Sequence, residues 1–163
     1  MNKGYKLYIA YGSNLNLAQM ATRCPTARVA GASEMKGYRL LFRGAHAGAV
    51  ATVEPCVGES VPVLAWWITP ADELALDRYE GFPFLYRKEN VKIKLDGKTV
   101  TAMVYIMNEE MPAGCYRPLG QPSAYYYTII LEGYKDAGFD IDILRKATTD
   151  SVEKDEAADG GLI

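Results

Sequence analysis

The sequence predicts an α+β domain that combines a strongly curled, mixed β-sheet with a few helices. Short runs of β-branched and aromatic residues recur along most of the chain, whereas segments with helical spacing are few. This order lacks the βαβαβ rhythm of a doubly wound parallel sheet. Two local patterns are specific: a capped helix that begins near Thr69, and an Asp96-Gly97 pair between two strand-like segments. A curled mixed sheet is therefore favoured over an open parallel one.

The chain opens with a strand, a polar loop and a short helix. The strand covers Tyr5 to Tyr11 and stops at Gly12-Ser13-Asn14, and the helix runs from Asn16 to Thr22, ahead of Cys24-Pro25. A residue before proline is disfavoured in helices, so this helix stays short. Further strands are predicted at 26–32, 38–43, 49–54 and 61–68, with connecting segments at 44–48 and 55–60.

The middle of the chain predicts a helix followed by a hairpin. Thr69 is the N-cap, Asp72 follows three residues later, and Gly81 lies just past the helix end. The hairpin strands, Phe84 to Leu95 and Thr99 to Met107, are joined by Asp96-Gly97, which suits a type I′ turn. Two helices at 123–137 and 141–148 are expected after a long Pro- and Gly-containing loop, 108–122.

Composition favours one globular domain, 1–150, followed by a polar tail, 151–163, that is expected to be flexible. Hydrophobic residues make up 49% of the 163 residues, enough to bury roughly two thirds of the unfolded surface. The net charge of -2 gives no basic footprint for nucleic acid or for an anionic membrane. Neither kind of partner is expected, and the chain is expected to be a monomer or a homodimer.

Cysteine usage and hydropathy favour a cytoplasmic protein. The cysteines at 24, 56 and 115 are odd in number and far apart, so they form neither a disulfide framework nor a zinc-ligand spacing. No apolar segment at the N-terminus resembles a signal peptide, and no window reaches the ~20 apolar residues of a transmembrane helix.

The polar loop Gly12-Ser13-Asn14 is a candidate binding site. Gly12 permits a sharp turn and a close approach of the backbone to a ligand. The amides that follow lead toward a helix N-terminus, which suits a carboxylate, a phosphate or a developing oxyanion. The structural alternative is an efficient turn and helix cap.

Glu80 is the candidate catalytic carboxylate. It ends a helix, where unpaired carbonyl groups disfavour an ionised acid, and Asp77 lies three residues back on the same face. Four nearby aromatic residues can supply an apolar lining: Tyr79, Phe82, Phe84 and Tyr86. Desolvation and like charge both predict a raised pKa, as proton transfer near neutral pH requires. The alternative is an ordinary solvated acid before a C-terminal glycine.

Other candidates for chemistry are weaker. His46 is the only histidine and lies in a loop of small residues, where a solvated role is more common. Ser13 lacks the flanking glycines of a nucleophile elbow, and no phosphate-binding loop ending in Lys-Ser or Lys-Thr is present. Of the adjacent Tyr125, Tyr126 and Tyr127, one or two can point at a common site.

Three motifs together resemble the γ-glutamylcyclotransferase family of AIG2-like proteins. They are Tyr8-Ile9-Ala10-Tyr11-Gly12-Ser13-Asn14-Leu15, then Leu76-Asp77-Arg78-Tyr79-Glu80-Gly81, then Tyr86-Arg87. Their order and spacing match the family, and the resemblance extends from about residue 5 to about residue 146. It implies a small, mixed, closed β-barrel flanked by helices, with a cavity at one mouth and no metal or cofactor.

The resemblance also implies an activity and its residues. Family members release 5-oxoproline from γ-glutamyl compounds when the substrate's own α-amine attacks its γ-carbonyl. Glu80 matches the family's catalytic glutamate, which takes a proton from the α-amine and can return it to the leaving nitrogen. The substrate-binding residues would be Tyr8, Ile9, Ala10, Tyr11, Gly12, Ser13 and Asn14, with Tyr126 as the best match on the later helix.

Several alternatives stay open on the sequence alone. The substrate could be a γ-glutamyl amino acid, glutathione or a γ-glutamyl amine, and the 108–122 loop carries no diagnostic residue. A non-catalytic small-molecule binding or interaction domain of the same fold is the main alternative function. A serine or cysteine hydrolase ranks below both.

Overall fold

The computed structural model describes residues 4–44, 48–108 and 117–153, which fold into one mixed sheet with flanking helices. Its elements are β1 (Lys6–Ala10), a 3-10 turn (Ser13–Leu15), α1 (Leu17–Arg23), β2 (Arg28–Arg43), β3 (Val50–Ile68), α2 (Pro70–Glu80), β4 (Tyr86–Leu95), β5 (Lys98–Met107), α3 (Ala124–Ala137) and α4 (Ile141–Asp150). The predicted α+β class is confirmed.

The sheet is not closed, so the predicted closed barrel is wrong. The strand order is β2-β3-β1-β5-β4, with β1 antiparallel to β3 and parallel to β5. The edge strands β2 and β4 approach each other, and Ser33 Oγ donates to the Lys94 carbonyl at 2.6 Å. The Leu95 side chain also lies over Gly31. These contacts use side chains, whereas closure requires a backbone ladder between the edges.

The turn predicted at 55–60 is wrong, because this segment lies inside β3. Its two ends pair with β2 in antiparallel register, with Tyr38 opposite Pro55 and Lys36 opposite Ser60, and residues 56–59 lie between these pairs, opposite Gly37. The register shift between Lys36 and Tyr38 leaves residues 56–59 without partners in β2, and Val57 in this irregular stretch is fully exposed. Pairing with β2 on both sides of this segment keeps it within β3, despite the local turn preference of proline and glycine.

The locally encoded elements are confirmed. Thr69 and Asp72 form a reciprocal capping box at the start of α2, and Gly81 ends the helix at φ 63°. The β4–β5 hairpin turns at Asp96 and Gly97 with φ of 51° and 77°. Strand β4 begins at Tyr86, two residues after the predicted start. The Phe84 and Leu85 amides instead bond to the Gly81 carbonyl in a turn.

Helix α3 connects the core to the start of the chain. Its residues Ile130 and Tyr134 are fully buried, and the Tyr134 ring contacts Phe139 edge to face. On the same helix, Gly133 packs against the 3-10 turn. This packing places the first turns of α3 beside the end of β1, and the end of α2 meets them around one cavity.

The C-terminal part of the described chain is tied to the domain. Ser151 is fully buried; its Oγ accepts from the Phe42 amide at 2.8 Å and donates to the Ala147 carbonyl at 2.6 Å. Glu153 accepts a hydrogen bond from the Leu119 amide at 2.8 Å. The fold therefore extends to residue 153, and the rest of the predicted tail lies outside the described residues.

Some of the predicted features lie wholly or partly outside the described residues. His46, residues 109–116 of the long loop and Cys115 lie outside them, whereas Cys24 and Cys56 are free thiols. None of the helices at 4–44, 48–108 or 117–153 is both long and apolar enough to cross a membrane.

Candidate active site

A cavity of about 220 Å³ lies where β1 ends. It is lined by Tyr8, Ile9, Tyr11, Gly12, Ser13, Asn14, Val50, Ala51, Tyr79, Glu80, Leu85, Tyr86, Tyr105 and Tyr126. Eight of the nine predicted site residues are in this lining, so residues far apart in the chain meet at one cavity. The exception is Ala10, which is buried within the sheet and pairs with Leu64.

Glu80 is the one acidic residue of the cavity lining. It is the last residue of α2, and Gly81 in the left-handed conformation turns the chain away immediately after it. No described residue forms a hydrogen bond or ion pair with its carboxylate. Burial raises the pKa of Glu80 from 4.5 to about 7, and the positive charge of Arg23 opposes this rise. The carboxyl group can therefore exchange a proton near neutral pH.

Asp77 does not contribute to this pKa shift, contrary to the sequence-based expectation. Its carboxylate is neutralised by Lys88 of β4 at 2.9 Å and accepts the Tyr105 hydroxyl at 2.6 Å. Strand β4 thus supplies a cation that the helix sequence alone could not reveal. Of the four aromatic residues expected to line Glu80, Tyr79 and Tyr86 do so, whereas Phe82 and Phe84 lie outside the cavity lining.

The loop after β1 approaches the opposite wall closely. A Cβ atom on Gly12 would lie 3.2 Å from the Ala51 Cβ and 3.6 Å from the Tyr126 hydroxyl oxygen, so glycine makes this approach possible. Ser13 Oγ is hydrogen-bonded to the Tyr79 hydroxyl at 2.7 Å. No described residue accepts a hydrogen bond from the backbone N–H of Gly12, Ser13 or Asn14. These amides can serve a ligand.

Two tyrosine hydroxyls hold the Ala51 peptide at the cavity wall. The Ala51 N–H donates to the Tyr126 hydroxyl at 3.0 Å, and the Tyr86 hydroxyl donates to the Ala51 carbonyl at 2.5 Å. The Tyr126 oxygen acts as an acceptor here, so its own O–H can donate to a ligand. The structure therefore places Tyr126 in the lining, and Tyr125 and Tyr127 are not part of it.

Five phenols of the cavity lining are protonated at neutral pH. Burial raises the pKa of five tyrosines above the ordinary value of 10.0: Tyr8, Tyr11, Tyr86, Tyr105 and Tyr126. Their hydroxyls stay protonated where Glu80 titrates. The cavity thus combines neutral hydrogen-bond donors with one carboxyl group that changes charge near pH 7.

Four lining residues were missed by sequence reasoning: Val50, Ala51, Leu85 and Tyr105. Val50 and Ala51 lie at the start of β3, in a segment that alternates like any strand. Tyr105 reaches the cavity because β5 pairs with β1, with Met103 opposite Tyr8. No local pattern indicates that parallel pairing.

The comparison with known families agrees with this geometry. The family model described as "Gamma-glutamyl cyclotransferase, AIG2-like" matches residues 8–126, which include every residue of the cavity lining. The chain belongs to this family.

Named relatives of this gamma-glutamyl cyclotransferase family support an enzymatic role. Gamma-glutamylcyclotransferase from Homo sapiens is 28% identical over 149 residues, covering 86% of this chain and 76% of the human one. The Mus musculus protein of that name is 27% identical over 141 residues, covering 81% of this chain and 71% of the mouse one. A solved structure titled "Gamma-glutamyl cyclotransferase" superposes with a TM-score of 0.74 at 26% identity, covering 93% of this chain and 89% of the other. The protein is therefore an enzyme of the gamma-glutamylcyclotransferase type.

Proposed function

We propose that the protein cyclises a γ-glutamyl compound to 5-oxoproline and releases the amine attached to the γ-carbonyl. The observation that carries the proposal is Glu80, the one acid of a cavity otherwise lined by apolar and neutral polar groups, with its pKa raised to about 7. A carboxyl group poised near the working pH can both accept and return a proton. The named relatives agree with this chemistry.

The reaction needs one proton carrier and no enzyme nucleophile. In the proposed mechanism the Glu80 carboxylate takes a proton from the substrate's α-ammonium group, and the free amine attacks the γ-carbonyl carbon. A nitrogen–carbon bond forms and closes the five-membered ring. The protonated Glu80 then donates to the leaving nitrogen as its bond to the γ-carbon breaks. The carboxylate so formed takes the second proton from the ring nitrogen and passes it to the released amine, which departs as an ammonium ion, so Glu80 ends in the carboxylate form. Nucleophile and electrophile belong to one molecule, so holding the folded conformer supplies much of the acceleration.

The opening loop and Tyr126 are the proposed partners of the substrate's oxygen atoms. The unpaired amides of Gly12, Ser13 and Asn14 and the O–H of Tyr126 are donors at the cavity. Donors of this kind stabilise a carboxylate in the bound state or an oxyanion as the γ-carbonyl becomes tetrahedral. Tyr8, Ile9 and Tyr11 are proposed to contact the substrate in the same cavity, and Ala10 would act only through the backbone of β1.

Cavity size favours recognition of the glutamyl part of the substrate. About 220 Å³ is below the usual range of pockets that enclose drug-sized ligands. A γ-glutamyl group would fill this space, and the departing amine would extend toward the mouth. Specificity for the glutamyl part is therefore proposed to exceed specificity for the amine.

The test is to incubate the purified protein, without added metal or nucleotide, with γ-glutamyl dipeptides, glutathione and γ-glutamyl-lysine. Mass spectrometry then measures 5-oxoproline and the released amine. Stoichiometric release of both from at least one compound, and its loss in Glu80→Gln, is expected. If a compound bound with unchanged affinity to wild type and Glu80→Gln and neither variant released 5-oxoproline, the protein would be a binding domain instead.

A further inference from the structure

We propose that Arg23 is a positioning residue of this active site, joining the loop residue Asn14 to the ring of Tyr79 beside Glu80. Arg23 ends α1 and is not part of the cavity lining. It acts on the site through the side chains it contacts. The inference rests on the proposed role of Glu80 and extends it to a residue outside the cavity.

The contacts of Arg23 have the geometry of a planar clamp. One guanidinium nitrogen, Nη1, donates to Asn14 Oδ1, and Nη2 donates to Gln19 Oε1 at 3.1 Å. The guanidinium carbon lies 3.4 Å from the centroid of the Tyr79 ring, which is a stacked cation–π arrangement. A planar guanidinium can donate hydrogen bonds along its edges and stack through its face at the same time. A lysine ammonium cannot make both kinds of contact in this geometry.

Two of the three residues that Arg23 contacts, Asn14 and Tyr79, line the cavity from different elements. Asn14 belongs to the 3-10 turn, and its Nδ2 also donates to the Tyr8 hydroxyl at 3.0 Å. Tyr79 precedes Glu80 on α2, and its hydroxyl is bonded to Ser13 Oγ. Arg23 therefore joins the proposed substrate-binding loop to the helix end that carries the proposed proton carrier. Its loss should change the distance between these two parts.

The positive charge of Arg23 also acts on Glu80. The other titratable groups of the cavity lining are phenols, contributed by β1 and its loop, α2, β4, β5 and α3: Tyr8, Tyr11, Tyr79, Tyr86, Tyr105 and Tyr126. Outside the lining, Asp77 of the same helix is ion-paired with Lys88. Phenols are neutral when protonated and contribute hydrogen bonds rather than charge. The guanidinium favours the carboxylate form, so it offsets part of the rise in Glu80 pKa that burial causes.

The test separates charge from geometry with Arg23→Gln and Arg23→Lys. Arg28→Gln is the matched control, since Arg28 is exposed and pairs with Trp67, away from the β1 end that forms the cavity. Two quantities are measured: the pH dependence of 5-oxoproline release, and the titration of the Glu80 carboxyl carbon by NMR of protein labelled at glutamate. Glu80→Gln assigns the resonance.

Arg23→Gln is expected to raise the Glu80 titration midpoint by about half a pH unit or more. The acidic limb of the kcat/KM profile should shift to higher pH by the same amount. Arg23→Lys is expected to keep the midpoint but lower activity by about tenfold at every pH, because the stacked fork is lost. The control should change neither quantity.

A wild-type Glu80 midpoint in Arg23→Gln, or full activity in Arg23→Lys, would overturn the proposal. Arg23→Lys also decides the matter if Arg23→Gln does not fold, since full activity there excludes a positioning role. The NMR titration needs no turnover. If wild type released no 5-oxoproline, the proposed function would fail, and an unshifted Glu80 midpoint in Arg23→Gln would separately refute the role of Arg23.

Discussion

Gly133 of α3 lies directly against Leu15, the last residue of the 3-10 turn. A Cβ atom on Gly133 would be 2.6 Å from the Leu15 Cβ and 2.8 Å from its carbonyl carbon, closer than side chains pack. Asn16 strengthens the contact, since its Nδ2 donates to the Ile129 carbonyl and to Glu132 Oε2, both at 3.0 Å. The same helix carries Tyr126 to the cavity, so this packing sets the loop and Tyr126 relative to each other.

Gly133→Ala is expected to destabilise the protein and reduce its activity. Alanine gains about 1 kcal/mol in helix propensity, but overpacking against a backbone typically costs about 1–3 kcal/mol. The melting temperature should fall by several degrees, and displacement of the loop should lower 5-oxoproline release. Asp136→Ala, at an exposed position of α3, is the control and should stay within about 0.5 kcal/mol. Unchanged or higher stability of Gly133→Ala would contradict the close contact.

The parts of the fold encoded within a few residues were predictable. The Thr69–Asp72 capping box and the Asp96-Gly97 turn depend on backbone geometry that neighbouring residues determine, and both occur where the sequence indicated. Glu80 was recognisable because a helix end and nearby aromatic residues already favour a raised pKa. The sequence resemblance supplied the proposed substrate-binding role of the opening loop, which local turn chemistry alone left open.

The parts that depend on distant strands were not predictable. Asp77 is paired with Lys88 and Tyr105, and both partners come from strands whose place in the sheet no helix pattern reveals. The segment 55–60 has turn composition but lies within β3, because pairing with β2 continues on both sides of it. Ala51 belongs to the cavity only because two tyrosines from other elements bind its peptide group. Each case is decided by tertiary pairing rather than by local propensity.

The raised pKa of Glu80 predicts a pH-dependent stability difference for Glu80→Gln. The folded-state pKa of about 7 lies above the ordinary 4.5, so the folded state holds its proton more tightly. Wild type then loses stability as pH rises from about 4.5 through 7, by at most about 3 kcal/mol. Melting curves should show Glu80→Gln more stable than wild type at pH 8.5, with the difference shrinking toward pH 5.

Glu73→Gln is the matched control for that measurement, because the pKa of Glu73 is shifted in the opposite direction to that of Glu80. Hydrogen bonds from Lys6 and Lys88 lower the pKa of Glu73 despite its partial burial. Its ionised form stabilises the folded state above the ordinary pKa, and this contribution is lost as pH falls through the folded value. Glu73→Gln should therefore be less stable than wild type at pH 8.5, by about 1 kcal/mol or less at this solvated site. Equal pH trends for the two variants would rule out a buried Glu80 carboxyl.

Activity should follow the ionisation of Glu80. The proposed base is the carboxylate, so kcat/KM is expected to rise with unit slope at acidic pH and to level off above a midpoint near 7. Glu80→Gln should lose about a hundredfold or more and lack this midpoint. Glu73→Gln should retain both rate and midpoint, since Glu73 is not in the cavity lining. Near-normal turnover by Glu80→Gln would refute the mechanism.

Tyr126→Phe should lower activity more than stability. The variant loses the acceptor of the Ala51 N–H, at a cost of about 1–3 kcal/mol if no water replaces it, and it loses an O–H at the cavity. A donor that acts on a charged or developing oxyanion typically contributes about 1.5–3 kcal/mol, which corresponds to a loss of about tenfold to a hundredfold in kcat/KM. Tyr127→Phe is the control, because no described residue hydrogen-bonds its hydroxyl and it is outside the cavity lining. Steady-state 5-oxoproline release and melting temperature are measured for both. Equal effects of the two substitutions would mean that the Tyr126 hydroxyl does not act on the substrate.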